Sequence, residues 1–229
     1  METLHNGYTL SIPAGAFPLS TDSILLSDFV RLHRNDNILD LGAGCGTLGM
    51  LLCAKSDNCT VTGIELNQHA HDAALDNIKR NGLDARLHSI CADIRTVNQL
   101  LSPGTFHCCV SNPPYFSGGP ASQAVPLARR DDCCSPAELF AAAAWVLRYG
   151  GDFFLVHKPE RLGQLCGCAV QSGLEPKRLR LVRHRDDGDV SLILLQCRKG
   201  GKPGLSWEEV TLFDSHNHPT SYYRELYHI

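Results

Sequence analysis

The sequence predicts an α/β fold: a mostly parallel sheet of seven strands, one of the last antiparallel, with helices on both faces. Three observations carry this. Short apolar runs of strand length alternate with segments of helical periodicity, which implies parallel strands joined by right-handed crossovers. Two late apolar runs flank a single Asp187-Gly188 turn, so they are close enough to pair antiparallel. The 229 residues, with neither internal repeats nor a low-complexity linker, suit one domain with a sizeable core.

In order, 37–41 reads as a buried strand, followed by glycines and a helix from about Thr47 to Lys55. Residues 60–65 form the second strand. Asn67 to Asn81 has helical spacing, with Ala70, Ala73, Ala74 and Ile78 on one face and Gly82 as its stop. Residues 85–91 and 107–111 are the third and fourth strands. A helix over 136–149 is expected to end at Gly150-Gly151, before a strand at 152–156. A helix from about Glu160 to Ser172 then leads to the strands 176–182 and 190–197.

Composition is ordinary, with 43% apolar and 20% charged residues. There is no long apolar span and no charged-then-apolar leader, so neither a membrane anchor nor export is expected, and the location is expected to be cytoplasmic. Eleven cysteines lie mostly in apolar segments (Cys45, Cys53, Cys59, Cys91, Cys108 and Cys197 among them). None has the paired C-x2-C spacing of a structural zinc site, so no metal is expected and the thiols are read as buried and reduced. Net charge is −3, but residues 177–202 carry eight bases against Asp186, Asp187 and Asp189. That stretch reads either as a solvated sheet edge or as a phosphate-contacting patch.

Two motifs carry chemistry. Asn112-Pro113-Pro114-Tyr115 follows the apolar run Cys108-Cys109-Val110, and two prolines end the strand in a stiff extended turn. Such a turn fixes a side-chain amide, a carbonyl and an aromatic ring in one small volume. The amide oxygen and the carbonyl suit the two donors of an NH2 group on a flat target, and the ring suits its face. The second motif, Ile38 to Gly49, is a strand, an acid (Asp40) and a turn containing Gly42, Gly44 and Gly46. Glycines let a backbone approach its ligand. Dinucleotide-binding proteins share such a turn, but Asp40 would repel a pyrophosphate and the loop has no base. Glu65, with Leu66 after it, closes the second strand and can accept from both ribose hydroxyls. Asp93 follows the third strand and can accept from an adenine amino group while Ile94 packs on the ring; helix capping is the alternative for Asp93. A ribose, an adenine and a positive ligand together indicate S-adenosylmethionine.

These residues resemble the class I, Rossmann-like methyltransferases that methylate amino groups. More narrowly, the chain resembles the bacterial tRNA1(Val) (adenine37-N6)-methyltransferase family. The likeness includes Ser20 to Leu26, Asn112 to Phe116, Ala128-Arg129-Arg130-Asp131, Arg178 to Val182, Arg198 to Leu205 and Tyr222 to Leu226. It implies one methyltransferase domain over 1–229, with 1–36 as an N-terminal cap and 37–229 as the catalytic core. It implies transfer from S-adenosylmethionine to N6 of a tRNA adenine, A37 of tRNA1(Val), with an anticodon stem-loop as partner, no metal and no obligate protein partner.

In that reading Asn112, Pro113 and Tyr115 do the chemistry. Asp40, Gly42, Gly44, Gly46, Glu65, Leu66, Asp93, Ile94, Asn112 and Asp22 hold the cofactor, and Pro114, Phe116, Arg129 and Arg130 meet the substrate. Asp22 would cover the methionine end of the cofactor; its alternative is an N-cap to the helix containing Ile24–Phe29. The family often has His-Glu after its Ala-Arg pair where this chain has Arg130-Asp131, and usually a more basic surface. Both departures bear on the choice of RNA rather than on the reaction. The competing enzyme is a glutamine N5-methyltransferase acting on a protein; that group usually carries a helical domain ahead of the cofactor motif, where this chain has some thirty-seven residues. An inactive cofactor- or RNA-binding protein is the non-enzyme alternative.

Overall fold

The computed structural model describes residues 2–4, 7–13, 19–113 and 134–229. An antiparallel ribbon of β1 (Glu2–Thr3) and β2 (Thr9–Leu10) precedes α1 (Thr21–Phe29). Then come β3 (Asn37–Leu41), α2 (Thr47–Lys55), β4 (Thr60–Glu65), α3 (Gln68–Arg80) and β5 (Leu87–Cys91). A 3-10 turn at Ile94–Thr96 and α4 (Val97–Leu100) lead to β6 (Phe106–Ser111). The remainder is α5 (Pro136–Val146), β7 (Leu147–His157), α6 (Leu162–Gln171), β8 (Leu174–Arg185), β9 (Val190–Lys199), β10 (Ser206–Phe213) and α7 (Ser221–Tyr227).

The main sheet has the order β10-β8-β9-β7-β6-β3-β4-β5, and β9 alone runs antiparallel to its neighbours. Among the described residues it therefore has eight strands rather than the expected seven. The eighth, β10, runs parallel to β8 at the edge, and its residues 206–209 are exposed. No long buried apolar run announces it: Leu212 is buried with Val210 and Phe213 packed beside it, while backbone pairing and ion pairs across to β8 hold its exposed first half.

Alternation along the strands explains the continuous apolar runs. On β7, Phe154 and Val156 face a cluster with Leu25, Leu26 and Phe29 of α1 and Leu52 of α2. Phe153 and Leu155 face the opposite cluster, with Phe140 and Val146 of α5 and Leu165 of α6. Edge-on ring pairs mark both faces: Phe29 with Phe154 at 6.0 Å, and Phe140 with Phe153 at 5.2 Å. Each such fully buried side chain contributes roughly 1.5–3 kcal/mol.

Several boundaries differ from the sequence expectation, β8 among them, which runs over Leu174–Arg185 rather than 176–182. The third strand starts at Leu87, because Leu83 to Arg86 is a turn closed by the Arg86 N–H on the Leu83 carbonyl. Helix α5 stops at Val146, and Gly150-Gly151 lies inside β7 at an irregularity in the β6–β7 register rather than ending the helix. Leu147 is already buried and paired with Phe106, so tertiary burial overrides the glycine signal.

The basic stretch is largely consumed within the fold. Arg180, 9% exposed, donates to Asp28 Oδ2 at 2.6 Å, to Glu208 Oε1 at 2.8 Å and to the Tyr222 hydroxyl at 2.9 Å. Arg178 lies over the Phe29 ring and pairs with Glu208. Arg183 pairs with Glu209, Arg185 with Asp187, and Arg198 with Asp152. Lys199 donates to the Ala144 and Leu147 carbonyls. These groups join α1, β8, β10 and α7. Among the cysteines, Cys45, Cys53, Cys59, Cys108, Cys109 and Cys197 are buried, whereas Cys91 is exposed at the sheet edge. Among the described residues no group of three His, Cys, Asp or Glu side chains could hold a metal ion, and no helix is long and apolar enough to cross a membrane.

Candidate functional site

Parallel strands bring their carboxyl ends to one edge of the sheet. The chain runs from β3 to β4 and β5 on one side and returns to β6 and β7 on the other. Open α/β sheets bind ligands in the crevice at that switch point. Asp40 pairs with Gly63 of β4 and Val110 of β6, so the ends of β3, β4 and β6 are level. Gly63 is required by close approach: a Cβ there would stand 2.6 Å from that of Ala43 in the glycine turn.

The turn after β3 is shaped from both strands. Gly42, Gly44 and Gly46 all have left-handed backbone, with φ of +80°, +56° and +83°. A Cβ on Gly42 or Gly44 would meet nothing within 4 Å, so the backbone lies open toward the crevice. The Gly42 and Ala43 N–H groups donate to the Ile64 carbonyl. Glu65 completes the frame: its Oε2 accepts from the Gly44 N–H and its Oε1 from the Asn67 N–H, each at 2.8 Å. Asn67 in turn caps α3.

Asp40 is 2% exposed, and its Oδ2 accepts no hydrogen bond from the described residues. Burial, reinforced by the Glu65 negative charge, raises its pKa to about 7. An orphaned acidic oxygen beside a second carboxylate is an environment that a cationic ligand relieves. This donor set fits the sulfonium- and amine-bearing cofactor expected from the sequence.

Asp93 sits past the end of β5 and realises the capping alternative. Its Oδ1 accepts from the Arg95 N–H at 2.9 Å, and its carboxylate pairs with the Arg95 guanidinium, which holds its pKa below the usual range. Lone-pair capacity for a further donor remains, in competition with Arg95. Ile94 is half-buried against the α5 side of the core, and Leu66 is exposed beside Glu65. Asp22 lies in the first turn of α1, where burial raises its pKa; Ser20, not Asp22, occupies the N-cap position.

Asn112 and Pro113 follow β6 directly. The Ser111 hydroxyl donates to the Leu41 carbonyl at 2.7 Å, and Asn112 Nδ2 donates to Ser23 Oγ of α1 at 3.0 Å. The structure thus gathers Asp40, the three glycines, Glu65 and Asn112 around the ends of β3, β4 and β6, with Asp93 beyond the next strand. Pro114, Tyr115, Phe116, Arg129 and Arg130 lie outside the described residues. Sequence reasoning missed Ser23 and Ser111, although a serine ending an apolar run before Asn-Pro was a usable signal. It also missed Asn77, which is fully buried and bonded to both Ser11 and Cys45.

This sheet order, with an acid and a glycine turn after the central strand and a second acid on the next, defines a Rossmann-like methyltransferase. Residues 19–164 match the methyltransferase small domain family, and the chain belongs to that family. A tRNA1(Val) (adenine(37)-N6)-methyltransferase of Photobacterium profundum is 30% identical over 78% of this chain and 76% of its own. The protein of that name from Vibrio vulnificus is 26% identical, over 82% of this chain and 79% of its own. Among solved structures, a predicted O-methyltransferase from Agrobacterium tumefaciens superposes with a TM-score of 0.77 at 22% identity, covering 91% of this chain and 96% of its own. A geranyl diphosphate methyltransferase in complex with SAM gives 0.56 at 13%, covering 77% and 84%. At these identities the two structures speak for the fold.

Proposed function

We propose that the protein transfers a methyl group from S-adenosylmethionine to N6 of an adenine in tRNA, A37 of tRNA1(Val) being the particular target. The observation that carries this reading is the position of Asn112 and Pro113, one strand from Asp40, whose buried Oδ2 has no partner among the described residues, and next to the glycine turn. The names of the relatives supply the acceptor. In this reading the whole chain, 1–229, acts as one domain, with 1–36 as its cap.

S-adenosylmethionine, when bound, supplies an activated methyl group on a positively charged sulfur. Asp40 would hold the positive amino-acid end, directly or through water, and Glu65 the ribose hydroxyls. Asp93 would take the adenine amine by exchanging part of its pairing with Arg95, while Ile94 and Leu66 offer apolar surface to the ring. Asp22 would cover the methionine end.

On the acceptor side, the target N6 lone pair is delocalised into its ring and is a poor nucleophile. Accepting both N6 hydrogens at Asn112 Oδ1 and the Pro113 carbonyl favours a pyramidal nitrogen and aims its lone pair. Alignment is then the main demand, since the proton becomes acidic as the nitrogen gains positive charge and no strong general base is needed. Tyr115 and Phe116 would stack on the base, worth roughly 1–3 kcal/mol, with Pro114 beside them and Arg129 and Arg130 on its phosphates. An anticodon-loop adenine is a suitable acceptor because flipping it out costs only a few kcal/mol.

The test is methyl transfer to tRNA from a strain lacking the modification, read by nucleoside mass spectrometry. N6-methyladenosine at position 37 is the expected product. Methyl appearing only on a protein glutamine would replace this reading with the amide one.

A further inference from the structure

We propose that Ser23 is a positioning residue for the methyl acceptor: its hydroxyl receives one N–H of the Asn112 amide and turns the Asn112 carbonyl oxygen toward the target amine. The inference rests on the reading of Asn112 given above. The geometry is a 3.0 Å bond from Asn112 Nδ2 to Ser23 Oγ, between residues 89 positions apart in the chain. Ser23 is 5% exposed and lies in the first turn of α1, whose Leu25, Leu26 and Phe29 are locked into the core under β7. The anchor is therefore rigid. On the other side, Ser111 fixes the strand end to Leu41, so the backbone of Asn112 and its side-chain tip are held by separate bonds.

The selection follows from donor and acceptor inventories. A hydroxyl donates or accepts, so Ser23 alone holds the amide either way round. An NH2 group conjugated to a ring or a carbonyl is a donor only. Between the two, the amide must turn its oxygen to the target and its N–H to Ser23. An amide freed from Ser23 can rotate about its terminal torsion, which is broad and roughly two-fold. Half of its orientations then oppose N–H to N–H. With an NH2 target in place, Ser23 thereby makes the N-terminal segment part of the acceptor pocket.

The test combines Ser23→Ala, Ser23→Thr, Asn112→Ala and the double variant, assayed on unmodified tRNA with saturating S-adenosylmethionine. Ser23→Ala is expected to lower kcat about tenfold, the scale of one lost hydrogen bond, with KM for tRNA and cofactor affinity unchanged. Ser23→Thr, which keeps the hydroxyl, is expected to recover most of that loss. In the Asn112→Ala background, Ser23→Ala should cost nothing further. A second readout needs no turnover: the Asn112 side-chain 15N–H2 resonances of wild type and Ser23→Ala, both with cofactor. Loss of hydrogen-exchange protection on one amide proton supports the bond. Unchanged resonances, or a kcat loss that persists in the Asn112→Ala background, overturn the proposal. A wild type that methylates no tRNA adenine overturns the functional reading instead, and the resonances still decide the role of Ser23.

Discussion

The Ser111 hydroxyl donates to the Leu41 carbonyl at 2.7 Å and so joins the end of β6 to the end of β3. Leu41 leads into the glycine turn and Ser111 into Asn112, so this bond extends the β3–β6 pairing into the site and helps set the spacing of its two halves. Ser111 is fully buried. Ser111→Ala leaves that carbonyl without this donor and should lower stability by about 1–2 kcal/mol. Transfer activity at 25 °C should fall more than that destabilisation accounts for. Urea denaturation alongside kcat measures both, and a stability loss with unchanged kcat would refute the spacing role.

Asp40 gives a pH dependence with an unusual sign. Unfolded, it loses its proton near pH 4; folded, near 7. The folded state therefore binds more protons between those values, and stability contributed by protonated Asp40 is lost as pH rises through that window. Asp40→Asn should be more stable than wild type at pH 8 by on the order of 2–4 kcal/mol, the difference vanishing near pH 4. Thermal melts across pH 4–8 check this. Cofactor affinity of the wild type should rise with pH up to about 7, because the cation binds the ionised carboxylate. The same titration on Asp40→Asn should be flat.

Asn77 of α3 and Asn81, the C-cap residue one turn on, hold the N-terminal segment as a strand would. The Ser11 N–H donates to Asn77 Oδ1 at 2.8 Å and Asn77 Nδ2 to the Ser11 carbonyl at 3.0 Å. Asn81 repeats the exchange with Thr9, at 2.8 Å in both directions. Asn77 also donates to the Cys45 carbonyl in the glycine turn. Asn77→Ala leaves the buried Cys45 carbonyl and both half-buried Ser11 groups without this partner and should cost about 2–4 kcal/mol, against about 1 kcal/mol for the half-buried Asn81. Amide exchange at Thr9 and Ser11 should quicken in both variants.

Arg180 tests whether the basic stretch works on RNA or within the fold. Arg180→Met should cost about 1–3 kcal/mol, less than a fully buried pair because Asp28 and Glu208 stay partly solvated. The affinity for tRNA and its salt slope should not change. A slope reduced by about 0.7–0.9, the signature of one lost phosphate contact, would reassign Arg180 to the RNA interface.

Arg95 competes for the carboxylate proposed to read the cofactor adenine. Because the pair is exposed, Arg95→Ala should tighten S-adenosylmethionine binding only a few-fold at low salt, with the gain shrinking as salt screens the pair. Calorimetry at two ionic strengths distinguishes this from weaker binding, which would make Arg95 a cofactor ligand.

The sequence by itself determined the alternation of elements, the parallel sheet and the acids at its strand ends. These are local properties: apolar period, glycine punctuation, and an acid one residue before a turn. It also carried Asn112 to Tyr115, because two prolines announce a strand end without help from the fold. Tertiary structure alone decided the rest. The eight bases after Pro176 looked available until Asp28, Glu208 and Tyr222, from three other elements, closed around Arg178 and Arg180. The exposed first half of strand β10 depends on those same pairs and on backbone bonds, and only Val210, Leu212 and Phe213 at its end pack on the core, too short a run to announce a strand. Asp93 is both cap and ion pair because Arg95 folds back on it. The bonds of Ser23 and Ser111 join residues 89 and 70 positions apart, and no periodicity in a chain encodes which hydroxyl will meet which amide.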